Sequence, residues 1–478
     1  MLTSYRSLVE ILFRCAEESR RVRIPENLSL MLFAAAFLWA AQGIGPGATG
    51  AELTSFPGAQ GYGKFSEGGR GGRIVAVTTL ADKGPGSLRA CMEARGVRNC
   101  VFKVGGIIHL ARPITVKAEN GFLSVLGQTA PGGGILITID QVNKDKKHTP
   151  LVLKETNNVI LRHIRVRPRF PNSVKNVDAI TVENSTRVYL DHVSGSWATD
   201  ENFNSHGNTT ELTVAYSIFG EGQEKHSKCA LLGSDPRKPQ KITFWNNACI
   251  SNNDRNPDDN HHGGSCIDIV NNLFFNAKSE WGEIFSQFPG GTPISYVGNY
   301  FKAGPSTDKL TYAINWNDAR STAAPRIYQR DNETWVPDGK TVQLIAPDTE
   351  KYLVANPPCP LSVTDVVTAE QAYERVIDSA GAFPRDDVDS RFIHGVGKIG
   401  KRGRGKMVRA PGELPVIENA APYEDKDEDG MPDRTEVKFG AEVGVADAWE
   451  DSDGNGWPNF DDVMQELSEE RIAGVLLR

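Results

Sequence analysis

Short apolar segments recur along the chain between residues 150 and 305. Each alternates apolar and polar residues for three or four positions, turns at a polar residue and then resumes apolar. Successive segments begin 29, 24, 30, 25 and 27 residues apart, without a helical pattern between them. Short strands at this period predict a parallel β-solenoid, in which each coil buries its inner face only by stacking on its neighbours. The segments begin at Val159, Val188, Leu212, Ile242, Ile267 and Ile294.

Three successive segments carry asparagine at the same place. Stacking would bring Asn247, Asn272 and Asn299 into line, and we expect their amides to hydrogen-bond in a ladder along one turn of the solenoid. A leucine-rich repeat is excluded because its leucine consensus is missing, and a propeller because it needs longer periods and antiparallel hairpins.

The flanking sequence is less periodic. Residues 56–151 are glycine-rich with short β-like runs, and a short helix capped by Ser87 is expected to cover the N-terminal end of the solenoid. Residues 368–379 predict a capped amphipathic helix. Residues 395–412 form a basic, glycine-rich linker.

Composition and charge narrow the class of protein. The 478 residues allow two or three domains or one large all-β domain, and exclude a collagen, a coiled coil and a polytopic membrane protein. Residues 418–478 hold 18 acidic residues against five Lys and Arg, whereas residues 51–417 carry about +5. This division favours an anionic partner for the body and a cation for the tail.

The N-terminus has the order of a secretory signal. Arginines precede the apolar run at residues 28–41, and small residues follow through residue 51. We therefore expect a secreted protein cleaved between residues 41 and 51, and no membrane span. Asn184, Asn208 and Asn332 begin glycosylation acceptor motifs, which apply if the source is eukaryotic.

Six cysteines follow the leader, an even number suited to an oxidising compartment. Fifteen pairings are open in principle, and the sequence favours only the local pair of Cys91 with Cys100. No Cys-x-x-Cys spacing suggests zinc. The other four are Cys229, Cys249, Cys266 and Cys359.

Two copies of a calcium-loop pattern lie in the acidic tail. Residues 425–436 place oxygen ligands at loop positions 1, 3, 5, 9 and 12 with Gly430 at position 6. Residues 451–462 repeat the pattern but end in Asp, so weaker binding is expected. The prolines at 432 and 458 favour an extracellular structural or docking loop over a regulatory EF-hand, and a disordered tail is the alternative. The candidate ligands are Asp425, Asp427, Asp429, Asp433 and Glu436, then Asp451, Asp453, Asn455, Asn459 and Asp462.

Several distinctive motifs follow one another over residues 56–400: Phe56-Pro-Gly-Ala-Gln-Gly-Tyr-Gly, Gly68-Gly-Arg-Gly-Gly, Gly84-Pro-Gly-Ser-Leu-Arg, Gly127-Gln-Thr-Ala-Pro-Gly-Gly-Gly, Asp191-His, Ser196-Trp-Ala-Thr-Asp-Glu, Arg255-Asn-Pro and Gly381-Ala-Phe-Pro-Arg-Asp-Asp-Val-Asp-Ser-Arg. In this order they are similar to those of the secreted pectate lyases of polysaccharide lyase family 1. The resemblance implies an all-β, right-handed parallel β-helix and calcium-dependent cleavage of polygalacturonate by β-elimination, which leaves 4,5-unsaturated oligogalacturonides.

The resemblance also assigns roles in the body. Arg255 matches the family's base and Lys228 its substrate-binding lysine. An arginine base is unusual because a guanidinium keeps its proton, although a cationic surround with calcium would favour the neutral form. Asp178 and Asp200 match its calcium ligands.

Two positions depart from the family. Asn204 stands in place of the third acidic ligand, so Glu201 could contribute instead and calcium binding without substrate should be weaker. Asn260 stands where the family often has a second substrate-binding arginine, which leaves the preference for methylation state open.

Other candidate chemistry is weaker. His192 is expected to pack internally and His261-His262 to lie in a polar loop. No serine-hydrolase motif occurs, while an acidic pair of a glycosidase stays possible from counting alone.

The sequence therefore predicts a leader at 1–50, a β-helix domain at 51–400, a linker at 401–417 and a separable calcium-binding segment at 418–478. The expected partner is polygalacturonate rather than nucleic acid, and the expected state is a monomer. A non-catalytic, calcium-stabilised solenoid that binds pectin or a cell surface is the alternative, which Asn204 and Asn260 favour.

Overall fold

Short strands that pair with the coils before and after them build the body of the chain. The computed structural model describes residues 52–475 apart from 142–147, 225, 227, 309–311, 319–320 and 338–341. The predicted leader lies outside the described residues. No described helix is long and apolar enough to cross a bilayer.

In chain order the strands of the described residues are β1 Arg73–Val77, β2 Arg98–Phe102, β3 Gly106–His109, β4 Ile114–Val116, β5 Leu123–Leu126, β6 Ile135–Thr138, β7 Leu151–Lys154, β8 Asn157–Arg162, β9 Ile164–Val166, β10 Ile180–Glu183, β11 Thr186–Asp191, β12 Ser194–Ser196, β13 Glu201–His206, β14 Thr210–Ala215, β15 Ile218–Gly220, β16 Lys228–Gly233, β17 Lys241–Trp245, β18 Ala248–Ile250, β19 Asp258–Asn260, β20 Cys266–Val270, β21 Leu273–Phe275, β22 Gly282–Phe285, β23 Pro293–Val297, β24 Tyr300–Lys302, β25 Tyr312–Trp316, β26 Arg326–Arg330, β27 Glu333–Trp335 and β28 Gln343–Ile345.

The strands form three parallel sheets. Sheet 1 has ten strands in the order β1-β2-β5-β8-β11-β14-β17-β20-β23-β26. Sheet 2 has nine strands, from β3 through β6, β9, β12, β15, β18, β21 and β24 to β27. Sheet 3 also has nine, from β4 through β7, β10, β13, β16, β19, β22 and β25 to β28. Each coil thus adds one strand to each sheet, which confirms the predicted parallel solenoid.

The predicted repeats align in register on sheet 1. Val188 pairs with Val159 and with Leu212, and Ile242 pairs with Leu212 and with Ile267. Between sheets 1 and 2 the chain turns at one residue with φ between 49° and 61° in six successive coils, a left-handed conformation that favours Asn and Gly. These turn residues are His163, His192, Tyr216, Asn246, Asn271 and Gly298.

The asparagine ladder is confirmed and is longer than predicted. Asn272 Oδ1 accepts hydrogen bonds from Asn247 N at 2.8 Å and Asn247 Nδ2 at 3.1 Å, and Asn299 Oδ1 accepts in the same way from Asn272. Asn332 Oδ1 extends the ladder by accepting from Asn299 Nδ2 at 2.8 Å.

The solenoid extends beyond the predicted repeats, from β1 to β28. The late coils were missed because their side chains are only partly buried: β27 and β28 have no fully buried residue, so the apolar alternation fades while the pairing continues.

Helices lie at the ends and flanks of the solenoid. The caps predicted at Ser87 and Thr368 are confirmed, and the pair Cys91–Cys100 is present. The remaining disulfides are Cys229–Cys249 and Cys266–Cys359. The helices are α1 Leu88–Met92, α2 Ala369–Ser379, α3 Asp387–Val396, α4 Asp433–Glu436 and α5 Asn459–Ile472, with 3-10 turns at Ala118–Asn120, Gly127–Thr129, Glu350–Tyr352 and Val437–Phe439.

The acidic tail packs on the outer face of the first coils. Met431 and Phe460 share a hydrophobic cluster with Val101 and Leu126 of sheet 1. The described residues from 53 onward accordingly belong to one compact unit. The described part of the predicted segment 418–478 thus contacts the first coils, while its separability and the boundaries at 400 and 417 stay predictions.

Candidate functional site

The candidate site lies where the chain passes from sheet 2 to sheet 3 in four consecutive coils. Glu201 begins β13 and Lys228 begins β16, and the two are paired in register. Arg255 lies in the next loop, just before β19, and Asp178 lies just before β10. Because parallel coils stack equivalent positions, residues 23 to 54 apart in sequence meet at one place.

Three carboxylates form the centre of this site. Asp178, Asp200 and Glu201 each offer an oxygen within 4.8 Å of the others. Asp178 Oδ2 accepts hydrogen bonds from Thr181 Oγ1 at 2.6 Å and Asn204 Nδ2 at 2.9 Å. Burial raises the pKa of Asp178 despite these hydrogen bonds. Burial, reinforced by Asp178 and Asp200, raises the pKa of Glu201 well above its usual value.

The donor set fits a hard divalent cation. Asn204 Oδ1 is buried and has no hydrogen-bond partner among the described residues, although its amide nitrogen is used. Three close carboxylates with one free amide oxygen are the ligands that Ca²⁺ prefers, and their mutual repulsion is relieved when a cation binds. Calcium would therefore be held by Asp178, Asp200, Glu201 and Asn204. The amide of Asn204 supplies an uncharged ligand in place of a fourth carboxylate.

Two cations lie beside the carboxylates. One guanidinium nitrogen of Arg255 is 2.7 Å from Glu201 Oε1, and Arg255 Nε is 2.8 Å from Asp258 Oδ2. Lys228 Nζ lies 3.4 Å from Asp200 Oδ1 and 3.6 Å from Glu201 Oε1, and its side chain is buried. Burial lowers the pKa of Arg255, but the carboxylates of Asp258 and Glu201 outweigh it, so this pKa is raised.

The backbone fixes the position of Arg255. Its φ of 52° is left-handed, which is costly for a long side chain. Its carbonyl accepts hydrogen bonds from Cys229 N at 3.2 Å and Ala230 N at 3.1 Å, so the preceding coil holds the loop in this conformation.

Two further residues belong to the site and were not predicted. Asp258 pairs with Arg255 from three residues away, a spacing that the sequence showed but did not distinguish from a polar loop. Burial, with Glu283 and Asp259, raises the pKa of Asp258 well above its usual value, although Arg255 opposes the shift. His226 Nδ1 lies 3.6 Å from Asp200 Oδ1 on the exposed side.

His192 and His261 have partners outside the carboxylate cluster. His192 stacks between His163 at 4.8 Å and Tyr216 at 5.0 Å in the buried wall, in agreement with internal packing. His261 follows β19 outside any strand, as expected for a polar loop, and its buried ring bonds to Gln240 Oε1 at 2.7 Å and Asp259 Oδ1 at 3.1 Å.

Asn260 is one of the two positions that depart from the family motifs, and its Nδ2 donates a hydrogen bond to Gln287 Oε1 at 2.8 Å. This amide pair occupies the place where the family often carries a second substrate-binding arginine.

The first tail loop is folded around its acidic residues. Asp425, Asp427 and Asp429 offer oxygens within 4.8 Å of one another, and Gly430 N donates to Asp425 Oδ2 at 3.1 Å. Glu436 is fully buried, and neither of its carboxylate oxygens has a hydrogen-bond partner among the described residues. Burial and the neighbouring aspartates raise the pKa of Glu436 to about 7. Asp433, at loop position 9, begins α4 and accepts from Lys426 N at 3.0 Å.

The second tail loop satisfies more of its own oxygens. Gly456 N donates to Asp451 Oδ2 at 3.0 Å, and Asn455 Nδ2 donates to Asp462 Oδ2 at 2.9 Å and to Asp453 Oδ2 at 3.1 Å. The predicted ligand Asn459 is buried, where Nδ2 donates to Asp447 O and Oδ1 accepts from Ser452 N. This loop therefore needs a cation less than the first.

Sequence comparison finds relatives that cover most of the chain. A probable pectate lyase C of Aspergillus terreus is 31% identical over 411 residues, which cover 83% of this chain and 90% of that protein. The chain belongs to the pectate lyase family. Another relative in the pectate lyase family, a probable pectate lyase C of Aspergillus flavus, is 29% identical over 405 residues, with the same coverage of 83% and 90%. No protein-family model matches the chain.

Solved structures show the same fold. The cedar pollen allergen Jun a 1 is 20% identical with a TM-score of 0.51, covering 68% of this chain and 92% of the allergen. A mutant pectate lyase of Bacillus subtilis is 13% identical with a TM-score of 0.50, covering 70% and 99%. At these identities the likeness concerns the fold alone.

Proposed function

We propose that the protein is a pectate lyase that cleaves polygalacturonate by calcium-assisted β-elimination to 4,5-unsaturated oligogalacturonides. Membership of the pectate lyase family supports this reaction. The observation that carries the proposal is a single network of charged side chains. Arg255 and Lys228 both contact Glu201, which belongs to one carboxylate cluster with Asp178.

Each residue then has a chemical task. Bound calcium would supply positive charge that neutralises the uronate carboxylate and acidifies the proton beside it. Asp178, Asp200, Glu201 and Asn204 would hold the cation. Lys228, poised at the edge of this cluster, would bind the uronate carboxylate.

Arg255 would accept the proton. The C5–H bond breaks as its electron pair forms the C4=C5 double bond, the C4–O bond breaks, and the glycosidic oxygen leaves and is protonated from water. Arg255 must first lose its own proton, and its neighbours Asp258 and Glu201 oppose that loss. We therefore expect activity at alkaline pH, as for any base whose conjugate acid is weakly acidic.

We also propose a structural calcium ion in the first tail loop. Support comes from Glu436, a buried carboxylate without partners that faces three aspartates. An uncompensated buried carboxylate is costly, and a cation removes that cost. The second loop is proposed as a weaker site. Secretion and a monomeric state are part of the same proposal.

Incubation of the purified protein with polygalacturonate and calcium at alkaline pH tests the reaction. We expect ultraviolet-absorbing unsaturated ends to form, and we expect their formation to stop when calcium is chelated. Saturated reducing ends would instead indicate a hydrolase. Binding without any product would favour the non-catalytic solenoid, and in that case an Arg255→Ala variant should bind as the parent does.

A further inference from the structure

An exposed, uniformly basic segment crosses the solenoid beside the candidate site. Residues 398–409, called here the basic strip, read Lys-Ile-Gly-Lys-Arg-Gly-Arg-Gly-Lys-Met-Val-Arg and contain no acidic residue. All six of its cationic side chains are exposed: Lys398, Lys401, Arg402, Arg404, Lys406 and Arg409.

The strip is anchored at both ends. At its start, the buried Lys302 Nζ donates to Val396 O at 2.7 Å and to Lys398 O at 2.8 Å. At its end, Glu224 N donates to Val408 O at 2.6 Å, and Arg409 Nε pairs with Glu224 Oε2 at 2.5 Å. The strip is therefore part of the folded surface.

Glycines set which way its side chains face. A Cβ at Gly403 would lie 2.4 Å from the Phe275 ring, and one at Gly405 would lie 2.9 Å from Ser251 Oγ. Only glycine lets the backbone approach the solenoid so closely. The alternating residues Arg402, Arg404 and Lys406 are exposed.

These charges are available to a partner. Within the described part of the chain, Lys401, Arg402, Arg404 and Lys406 form no ion pair within 4.0 Å. The nearby Glu221 is already paired with Arg391, and Glu224 with Lys278 and Arg409. The acidic tail, the evident intramolecular partner, docks elsewhere through ion pairs of Asp425 with Lys103 and Asp461 with Arg70.

The strip crosses the loops that carry the candidate site. It contacts Ser251, four residues before Arg255, and Glu224, four residues before Lys228. Four extended residues span at most about 14 Å, so both site residues lie within that reach of the strip.

We propose that the basic strip is an accessory binding surface for the uronate units that flank the cleaved bond of a de-esterified galacturonan. This inference rests on the proposed function, since it concerns the same polyanionic chain. Exposed cations in a row bind a polyanion through several weak, salt-sensitive contacts and raise its local concentration at the neighbouring site.

Binding can be measured without turnover, in the presence of a chelator and with polygalacturonate as the probe. The strip variant carries Lys401→Gln, Arg402→Gln, Arg404→Gln and Lys406→Gln. The control variant makes the same charge change at four exposed cations elsewhere: Lys83→Gln, Arg95→Gln, Lys238→Gln and Lys241→Gln.

We expect the strip variant to bind polygalacturonate on the order of tenfold more weakly than the control, the product of four weak exposed ion pairs. Its affinity should also depend less on salt concentration. In turnover assays its KM should rise for polygalacturonate and not for trigalacturonate.

Equal binding by the strip and control variants would overturn the proposal. Equal binding of the parent to fully methyl-esterified pectin, which lacks the charges, would also overturn it. Tighter strip-dependent binding to single-stranded DNA would assign the surface to a nucleic acid instead. If the parent forms no unsaturated products yet the strip variant loses affinity, the lyase proposal fails and the binding surface stands.

Discussion

Arg255 contacts Glu201 across 54 residues of sequence, with one guanidinium nitrogen 2.7 Å from Glu201 Oε1. The pair joins the proposed base to the proposed metal cluster, so the charge of one depends on the occupancy of the other. A cation near Glu201 would weaken the pull of that carboxylate on the Arg255 proton. The base and the metal site are thus one electrostatic unit.

Replacing Arg255 tests its role as the base. Arg255→Lys should lower kcat by at least about a hundredfold, because a single ammonium cannot reach Glu201 and Asp258 together as the planar guanidinium does. Calcium binding and the circular dichroism spectrum should be retained. Arg112→Lys, an exposed arginine on the first coils, is the matched control. Near-native turnover of the Arg255 variant would remove Arg255 from the mechanism.

The amide at position 204 offers a gain-of-function test. Asn204→Asp should tighten calcium binding on the order of tenfold, because affinity rises with the charge of the ligand set. The same change should destabilise the calcium-free protein, since the hydrogen bond from Asn204 Nδ2 to Asp178 becomes a repulsion. Calorimetric titration of calcium and thermal unfolding with chelator measure the two effects. The control is Asn208→Asp, and an unchanged affinity at 204 would exclude that side chain from the metal site.

Calcium affinity of the body should fall as pH falls. The pKa values of Asp178 and Glu201 are raised, so both carboxyls take up protons at a higher pH than ordinary acids and compete with the cation. Calcium titrations at a series of pH values from about 8 to about 5 would show this. A flat profile would mean that these carboxyls are not the ligands.

Calcium in the first tail loop should stabilise the folded protein without taking part in catalysis. Glu436→Gln should reduce the rise in Tm that calcium causes by roughly a few degrees, while leaving activity against free calcium unchanged. Glu466→Gln, at the half-buried partner of the exposed Lys438, is the control. A shift in the calcium dependence of activity would tie the tail to the reaction. Deleting residues 418–478 is a less clear test, because it also uncovers Val101 and Leu126.

The same glutamate gives the tail a pH dependence. The pKa of Glu436 in the folded, calcium-free protein is raised to about 7. The folded protein therefore holds this proton more tightly than the unfolded chain does. The free energy of unfolding is highest below the ordinary pKa of a glutamate and falls as the pH rises through about 7. Thermal unfolding with chelator should show Tm declining over this range. Calcium should suppress the contribution of Glu436 to this decline, and Glu436→Gln should make the decline smaller, while Asp178, Glu201 and Asp258 keep their own contributions.

The sequence revealed the solenoid because buried apolar residues repeat in register, as Val159, Val188 and Leu212 show. It could not reveal coils such as β27 and β28, whose stability comes from backbone pairing more than from buried side chains. Asp258 was missed because a carboxylate after Arg255 looks like any polar loop until burial and the neighbouring coil are known. Cys229–Cys249 joins strands of two sheets, and nothing local in the sequence marks that pairing.

The asparagine ladder also gives the solenoid a direction. From Asn247 to Asn332, each amide oxygen accepts from the preceding coil, so the side-chain dipoles align head to tail along the axis. Aligned amides polarise one another, as in a chain of water molecules. Reversing a single amide would set two neighbouring dipoles against it. The ladder therefore favours the same amide orientation in each coil.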